Sequence, residues 1–321
     1  MKASEKITLS LIAAASIGCL SAYVTTKCLV DTALDRKMPT IMKRSGKAIS
    51  GSKSKKTDKY REMRREAEER FKEVESKCET VGIKSFDGEK LVGHLLRVDE
   101  PKRLIIAVHG WRSSPAHDFA YVSEFWRQEG CDILFIEQRG QGESGGEHMG
   151  FGLTERYDCK FWAEWAAESF DLPIFLSGVS MGGATVLMAS DLWLPEKVKG
   201  IIADCGFTSP DAIWRHVVKN NLHLGFRLKS VIANSICKHK LGMGSSSCTT
   251  VDSLKRAKVP VLFIHGSDDK FVPVEMTYEN YKACRSEKSL LIVPGAGHGM
   301  SCYVEPEKYQ KAVREFWEEV E

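Results

Sequence analysis

The sequence predicts an α/β fold in which a mostly parallel sheet is covered by helices on both faces. Short apolar runs typical of strands alternate with helix-compatible segments from residue 79 to the C-terminus, which is the pattern of βαβ units. Some runs, such as 104–108, are continuously apolar, as in strands buried on both faces. A Gly-x-Ser-x-Gly motif at 178–182 lies between one such run and a helical segment, where a sharp strand-to-helix turn is expected.

Length and composition fit one large domain with additional segments. The chain has 321 residues, of which 43% are hydrophobic and 28% are charged, with a formal net charge of +3; these values are ordinary for a globular protein. Residues 1–79 hold 18 of the 46 Lys and Arg residues and 11 of the 43 acidic residues, which leaves 28 against 32 in the remainder. The mildly acidic remainder argues against nucleic acid as a partner.

Ten cysteines are scattered along the chain without a Cys-x-x-Cys pair. A domain of this size does not need a disulfide framework, and cysteines in apolar runs, such as Cys131 and Cys205, are typical of small core residues. This pattern mildly favours a reducing compartment. There is no His-Glu-x-x-His motif and no zinc-type spacing, so we predict no metal and no cofactor.

Residues 7–26 contain no charged residue and match the roughly 20 helical residues that cross a bilayer. We therefore predict an N-terminal hydrophobic helix that forms a single-pass transmembrane anchor within residues 1–30. Two alternatives stay open at this point. One is a cleaved signal peptide that begins with Lys2 and Lys6, and the other is a lipoprotein cysteine at Cys19, which Ser16 fits poorly.

A basic segment follows the hydrophobic helix. Residues 36–56 hold eight Lys or Arg residues and no acidic residue, and residues 45–57 are rich in Ser, Gly and Lys. We predict a basic flexible linker at 31–57. The positive-inside rule then places the catalytic domain in the cytoplasm, with the membrane contacted by the helix and by its basic flank. A solvated linker without such a role is the alternative.

A charged helix is predicted at 58–78. Its few apolar residues, Met63, Ala67, Phe71 and Val74, recur every three or four positions and form a narrow apolar stripe. This pattern favours a helix packed along the edge of the main domain over a partner-binding coiled coil.

The main domain is predicted at 79–321 and begins with a hairpin. The turn Asp87-Gly88 separates strand-like runs at 81–86 and 90–96. Further strands are predicted at 104–108, 132–136, 173–176, 198–203, 259–264 and 289–293. The predicted helices between and after them lie at 119–128, 154–169, 184–189, 275–284 and 306–320.

Residues 207–250 interrupt this alternation with short amphipathic pieces that include Trp214 and Phe226. They lie between two strands, at the edge of the sheet where active sites are found. We predict a small helical cap at about 207–250 that shapes the substrate pocket. The alternative is a structural insertion without substrate contact.

The Gly-x-Ser-x-Gly motif points to Ser180 as a nucleophile. In a nucleophile elbow the serine occupies a strained apex, and flanking glycines such as Gly178 and Gly182 avoid the collisions that a Cβ would cause. The hydroxyl is then exposed at the start of a helix, whose backbone N–H groups face a developing oxyanion. An ordinary glycine-rich turn has the same pattern. The motif alone therefore does not identify a nucleophile, and the assignment depends on whether a base and an acid are also present.

Candidate partners for Ser180 follow two later strands. A serine hydroxyl needs a base to take its proton, and a histidine base needs an acid that holds its tautomer. The strand at 259–264 leads into Asp268 and Asp269, and the strand at 289–293 leads into a glycine-rich loop that contains His298. A histidine in that loop can reach across to Ser180.

The chain from about residue 80 onward resembles the α/β-hydrolase superfamily, in which serine, acid and histidine follow in this order. Five pieces in the expected order carry the resemblance, namely 109–111, 139–144, 178–183, 265–273 and 297–298. The resemblance is closest to the membrane-anchored bacterial branch that is grouped with serine aminopeptidase-like and esterase-like members. One departure is Gln141, where the family usually has a histidine with a structural role.

The resemblance implies that Ser180 is the nucleophile, His298 the general base and then acid, and Asp269 the orienting acid. Asp268 is the competitor, but the family pattern places the acid three residues before Val272-Pro273.

Backbone N–H groups of Trp111 and Met181 are implied as the oxyanion hole, where one donor is worth about 3 kcal/mol of transition-state stabilisation. His109 and His265 are interpreted as loop-shaping residues.

These observations predict a serine hydrolase that cleaves carboxylic esters through an acyl-enzyme intermediate. The alternatives are a peptidase or amidase, or an acyltransferase, with the same triad. A non-catalytic binding protein is disfavoured because serine and histidine are both present. The expected partner is a small ester or amide substrate.

Overall fold

The computed structural model describes residues 20–38, 55–221 and 227–321. An eight-stranded sheet lies at its centre in the order β1-β2-β4-β3-β5-β6-β7-β8. The strands are β1 (Glu79–Lys84), β2 (Lys90–Leu96), β3 (Arg103–Val108), β4 (Cys131–Ile136), β5 (Ile174–Val179), β6 (Val198–Asp204), β7 (Val261–Gly266) and β8 (Lys288–Val293). The β1–β2 and β2–β4 pairs are antiparallel and the other five are parallel. The predicted mostly parallel sheet is confirmed.

Helices cover both faces of the sheet, as predicted. They are α1 (20–34), α2 (Lys55–Glu75), α3 (Pro115–Gln128), α4 (Glu155–Ser169), α5 (Met181–Ala189), α6 (Pro210–His216), α7 (Arg227–Leu241), α8 (Thr250–Leu254), α9 (Val274–Ala283), α10 (Ser301–Val304) and α11 (Pro306–Val320). Nine cysteines in the described ranges are free thiols.

The alternation of side chains along β3 explains why two cores form. Leu104, Ile106 and Val108 belong to the cluster that includes residues of α4 and α5. Ile105 and Ala107 point the other way, into the cluster that includes residues of α2, α3 and α11. Successive side chains of a strand face opposite sides of the sheet, so a continuously apolar strand serves both cores.

The charged helix runs along the sheet face from Lys55 to Glu75, three residues earlier at each end than the predicted 58–78. Its apolar stripe faces inward: Ala67 and Phe71 are buried, and the Phe71 ring packs edge-on against Phe135 with centroids 5.2 Å apart. The polar side of the same helix reaches the candidate site described below.

The segment after the N-terminal hydrophobic run differs from the predicted linker at 31–57. Residues 31–38 complete α1 and continue along the domain surface. Val30 and Leu34, one helical turn apart, are buried, and Asp35 forms a β-bridge with His148. The Arg36 guanidinium donates to the Ser144 carbonyl over 2.7 Å. The boundary predicted at residue 31 is therefore wrong, because apolar and hydrogen-bonding contacts hold this stretch on the domain.

The remainder of the predicted linker, at 39–54, lies outside the described residues, as does most of the predicted span at 7–26. Across the ranges that are described, no helix combines the length and the apolar character needed to cross a membrane. Membrane attachment, and the side of the membrane that the domain faces, stay predictions.

The predicted cap region consists of α6, a π-helical turn at Val217–Asn221, α7 and the start of α8. Two of its apolar side chains pack against the main domain. Ile213 and Trp214 join a cluster with Phe151 and Met181, and the Trp214 and Phe151 rings meet edge-on at 5.3 Å. α1 adds Val30 and Leu34 to this cluster. Trp214 of the cap therefore packs into a cluster that it shares with the main domain and with α1.

Candidate active site

Ser180 occupies the turn between β5 and α5. Its backbone has φ 57°, a left-handed conformation that costs a non-glycine residue about 1–3 kcal/mol and is concentrated at functional sites. A Cβ at Gly178 would collide with the backbone of Gly182, and one at Gly182 would collide with the Val108 carbonyl. The two glycines therefore permit the tight turn that the motif predicts.

His298 and Asp269 lie next to Ser180, on the loops that follow β8 and β7. The Ser180 hydroxyl is 2.9 Å from His298 Nε2, and His298 Nδ1 is 2.6 Å from Asp269 Oδ2. With a proton on Nδ1 donated to Asp269, Nε2 is left to accept the serine proton. The structure thus brings together the three side chains that the sequence singles out.

Asp269 is held in place by three hydrogen bonds and by a contact with a second histidine. Its Oδ1 accepts the backbone N–H groups of Phe271 and Val272 at 2.8 and 2.9 Å, and its Oδ2 contacts His265 Nε2 at 3.2 Å as well as His298. Asp268 is exposed and accepts a hydrogen bond from Ser267. The geometry therefore favours Asp269 over Asp268 as the partner of His298.

The two other strand-end histidines are buried and support the loops. His265 Nε2 donates to the Val272 carbonyl at 2.9 Å, and its Nδ1 accepts from Thr277 Oγ1 at 2.6 Å. His109 Nδ1 donates to the Gly110 carbonyl at 2.9 Å, while its Nε2 accepts from the Gln138 N–H at 3.2 Å. His265 does more than shape a loop, because it also contacts the carboxylate of Asp269.

Burial and the neighbouring charges shift the pKa values of His298 and Asp269 in opposite directions. Burial disfavours the imidazolium, but the charge of Asp269 and its hydrogen bond more than offset this effect, so the pKa of His298 lies above its ordinary value. Burial likewise opposes ionisation of Asp269, yet the two histidines hold its pKa well below the usual range. Asp269 is therefore an anion at neutral pH.

This shift predicts the pH dependence of activity. His298 accepts a proton only when it is neutral, so kcat/KM is expected to rise with pH through a pKa above about 6.5, the ordinary value for histidine. Asp269→Asn removes the charge that raises this pKa, and the residual activity of the variant should rise at lower pH than that of the wild type. A pH profile of kcat/KM for both proteins tests this, and identical midpoints would contradict it.

The backbone N–H groups of Met181 and Trp111 are the candidates for an oxyanion hole. Met181 N–H belongs to the first residue of α5, where helical N–H groups lack intrahelical acceptors. Trp111 N–H makes no hydrogen bond within the described parts of the chain. The neighbouring Gly110 N–H donates to Asp118 Oδ2 at 2.7 Å, which fixes the loop that carries Trp111.

The N-terminal segment is hydrogen-bonded to this same loop, a contact that the sequence did not predict. Trp111 Nε1 donates to the Ala33 carbonyl at 2.8 Å. The Arg112 guanidinium donates to the carbonyls of Thr32 at 2.9 Å, Arg36 at 3.2 Å and Asp35. Arg112 itself has a positive φ of 49°. Residues 32–36 therefore act as a clamp on the loop beside Ser180.

We expect deletion of residues 1–38 to lower kcat/KM about 10- to 100-fold, because small displacements of a catalytic loop are costly. It should also lower the melting temperature, since burial of a Val or Leu side chain is worth roughly 1.5–3 kcal/mol. Deletion of residues 1–19 alone keeps α1 and serves as the control. Equal activity and stability of both truncated proteins would contradict the proposed contact.

A cavity of about 180 Å³ opens onto Ser180 and His298. It is lined by the loop from Gly110 to Ser113, by Arg64 of α2 and by His117, Asp118, Val179, Phe271 and Gly299. No described residue of 207–250 lines it. The predicted role of the cap in shaping the pocket is therefore not seen at this cavity. Arg64, Arg112 and His117 were not among the predicted site residues, because the sequence of a charged helix or a loop does not show which of its basic side chains face solvent and which reach a cavity.

One group of side chains in the described ranges has donor atoms close enough to suggest a metal, namely Cys205, Asp269 and His298, with their donor atoms within 4.8 Å of one another. Burial holds the pKa of the Cys205 thiol well above its ordinary value, whereas a metal binds the thiolate. Asp269 already accepts hydrogen bonds from Phe271, Val272 and His298. The group therefore suits proton transfer better than metal binding.

Comparisons with known proteins agree with this fold. A family model described as serine aminopeptidase, S33, matches residues 99–241. YqkD, an uncharacterized protein of Bacillus subtilis, is 27% identical over 240 residues, which cover 73% of this chain and 77% of YqkD. Phospholipase YtpA of the same organism is 27% identical over 143 residues, which cover 44% of this chain and 52% of YtpA.

Among solved structures, the Pyrococcus furiosus esterase Pf2001 superposes with a TM-score of 0.64 at 23% identity, covering 78% of this chain and 94% of the esterase. At that identity the likeness concerns the fold. The sheet order and helix arrangement, together with these matches, show that the chain has the α/β-hydrolase fold, and they support a hydrolase enzyme.

Proposed function

We propose that this hydrolase cleaves carboxylic esters through an acyl-enzyme intermediate, with Ser180 as nucleophile, His298 as base and acid, and Asp269 as the orienting anion. The observation that carries the proposal is the unbroken chain of hydrogen bonds from Ser180 Oγ through both nitrogens of His298 to Asp269, at 2.9 and 2.6 Å. This is the arrangement that activates a serine hydroxyl.

The mechanism follows from these contacts. Ser180 Oγ attacks the ester carbonyl as its proton passes to His298 Nε2, and the carbonyl oxygen becomes an anion facing the N–H groups of Met181 and Trp111. The C–O bond to the alcohol breaks as His298 returns the proton to the leaving oxygen. Water then attacks the acyl-serine, with His298 taking its proton and giving it to Ser180, which releases the acid.

The pocket favours an ester over the substrate of an aminopeptidase. An aminopeptidase must accept the ammonium group of a free N-terminus, which calls for an excess of negative charge. Among the described residues, Asp118 is the one acid that lines this cavity, against two arginines. Arg64 and Arg112 in the same lining would repel an ammonium group.

A panel of chromogenic substrates tests the proposal. We expect serine-dependent turnover of 4-nitrophenyl esters that falls as the acyl chain lengthens, because the cavity of about 180 Å³ is small. Amino-acid 4-nitroanilides should be cleaved far more slowly. Faster cleavage of the anilides than of the esters would overturn the ester assignment in favour of a peptidase. Formation of a new ester between the acyl group and an added alcohol would instead point to acyl transfer.

A further inference from the structure

The cavity beside Ser180 carries more positive charge than the ester chemistry requires. Two of its lining residues are arginines, Arg64 from α2 and Arg112 from the loop after β3, whereas Asp118 is the single acid among them. The oxyanion of ester hydrolysis is served by backbone N–H groups, so neither guanidinium has a part in the mechanism derived above. The contact with residues 32–36 accounts for the hydrogen bonds of Arg112, but it does not account for the positive charge of the two guanidinium groups beside the cavity.

Neutral acceptors hold both guanidinium groups in place. Among the described residues, Arg112 donates only to backbone carbonyls, those of Thr32, Asp35 and Arg36. Arg64 Nη1 donates to His117 Nε2 at 3.0 Å, and its Nη2 contacts Met300 Sδ at 2.7 Å and the Gly299 carbonyl at 3.5 Å. A neutral acceptor orients a guanidinium but leaves its charge uncompensated.

The acidic groups nearby are engaged elsewhere. Glu68 Oε1 lies 2.8 Å from His117 Nδ1, so its carboxylate is engaged by His117 and does not contact Arg64. The Asp35 carboxylate pairs with Lys240 and His148. Within the described ranges, no carboxylate forms an ion pair with Arg64 or Arg112. Burial accordingly lowers the pKa of Arg112, an effect that the charge of Asp35 offsets only in part.

Three buried donors in residues that line the cavity also lack acceptors. The Nε of Arg64, the Nε of Arg112 and the hydroxyl of Ser113 are buried without a hydrogen-bond partner among the described residues. A buried donor without a partner costs about 1–3 kcal/mol. A ligand that supplies acceptors would recover this cost, and an anionic ligand would also balance the charge. Stacking of Arg64 on Tyr303 at 5.5 Å and of Arg112 on Trp111 at 5.3 Å keeps both groups oriented.

We propose that Arg64 and Arg112, with Ser113, form an anion subsite that selects esters bearing a second, negatively charged group, such as a carboxylate or another oxyanion. This inference rests on the proposed ester hydrolase function and names its substrate class. The charged group belongs to the acyl part or to the alcohol part of the ester. Planar guanidinium groups with several N–H donors are the side chains best suited to bind such oxyanions.

Two matched substrate pairs test the subsite in the full-length enzyme. The first pair places the charge on the acyl side: 4-nitrophenyl hydrogen glutarate and its methyl ester. The second places it on the alcohol side: 4-(acetyloxy)benzoate and its methyl ester. For each pair the ratio of kcat/KM for the anionic to the neutral ester is measured in the wild type and in Arg64→Gln, Arg112→Gln and Arg112→Lys. Arg65→Gln, an exposed arginine next to Arg64 on α2, is the control.

We expect one pair to show a preference for the anion that falls about tenfold in either glutamine variant, equivalent to about 1.4 kcal/mol. Arg112→Lys should retain part of it and Arg65→Gln all of it. Raising the salt concentration should reduce the preference in the wild type, a readout that does not depend on any variant folding. The substrate pair that shows the preference identifies whether the charged group belongs to the acyl part or to the alcohol part of the ester.

Neutral esters cleaved as well as anionic ones, with ratios unchanged by the variants and by salt, would overturn the subsite and leave the esterase proposal intact. Failure of the wild type to cleave any of the four esters, together with an unreactive Ser180, would instead refute the function on which the subsite rests.

Discussion

Ser180→Ala is expected to reduce kcat for ester hydrolysis about 10⁵- to 10⁶-fold, because loss of the nucleophile in a triad removes nearly all of its contribution. The residual rate should come from the oxyanion donors and substrate binding alone. The fold should persist, since the substitution deletes one hydroxyl whose contact is with His298. We therefore expect the melting temperature to change by no more than a few degrees.

Steady-state rates with 4-nitrophenyl esters measure this effect. Ser76→Ala, which alters an exposed serine near the end of α2, is the control and should retain full activity. Substantial turnover by Ser180→Ala would show that another group carries the reaction.

Asp269→Asn is expected to reduce kcat about 10⁴-fold, as loss of the orienting carboxylate does in other serine triads. In this site Asp269 Oδ2 contacts His298 Nδ1 at 2.6 Å and His265 Nε2 at 3.2 Å. An amide at this position can present N–H to His298 and so favour the tautomer whose Nε2 is protonated. That tautomer cannot accept the proton of Ser180.

Asp268→Asn is the matched control for this substitution. Asp268 is adjacent in sequence, exposed, and bonded to Ser267, so its replacement should change kcat by less than about threefold, as surface substitutions generally have small effects. The reverse order of effects would make Asp268 the acid and would require the loop after β7 to adopt a different arrangement from the one described.

Much of the scaffold could be predicted because its signals are local. The hairpin turn at Asp87-Gly88, the continuously apolar strands and the Gly-x-Ser-x-Gly turn each depend on residues close together in sequence. Ser180, Asp269 and His298 follow strand ends, and the carboxyl ends of parallel strands share one edge of a sheet. The sequence therefore suffices to predict that these three side chains lie close together.

The contacts that could not be predicted join distant segments. Ala33 and Trp111 are hydrogen-bonded although 78 residues separate them, and no periodicity in either segment indicates this. Basic residues near 36 suggested a linker, yet Arg36 donates to carbonyls of the loop at 142–146. Arg64 lies on the polar side of a charged helix, where its approach to the cavity depends on how α2 packs.

Labelling with a fluorophosphonate, followed by mass spectrometry of the peptides, tests most directly whether His298 and Asp269 activate Ser180. We expect one adduct per chain, on Ser180, with a labelling rate that falls steeply in His298→Ala and in Asp269→Asn. A Ser180 that labels equally fast in all three proteins, or an adduct on a different residue, would contradict the account.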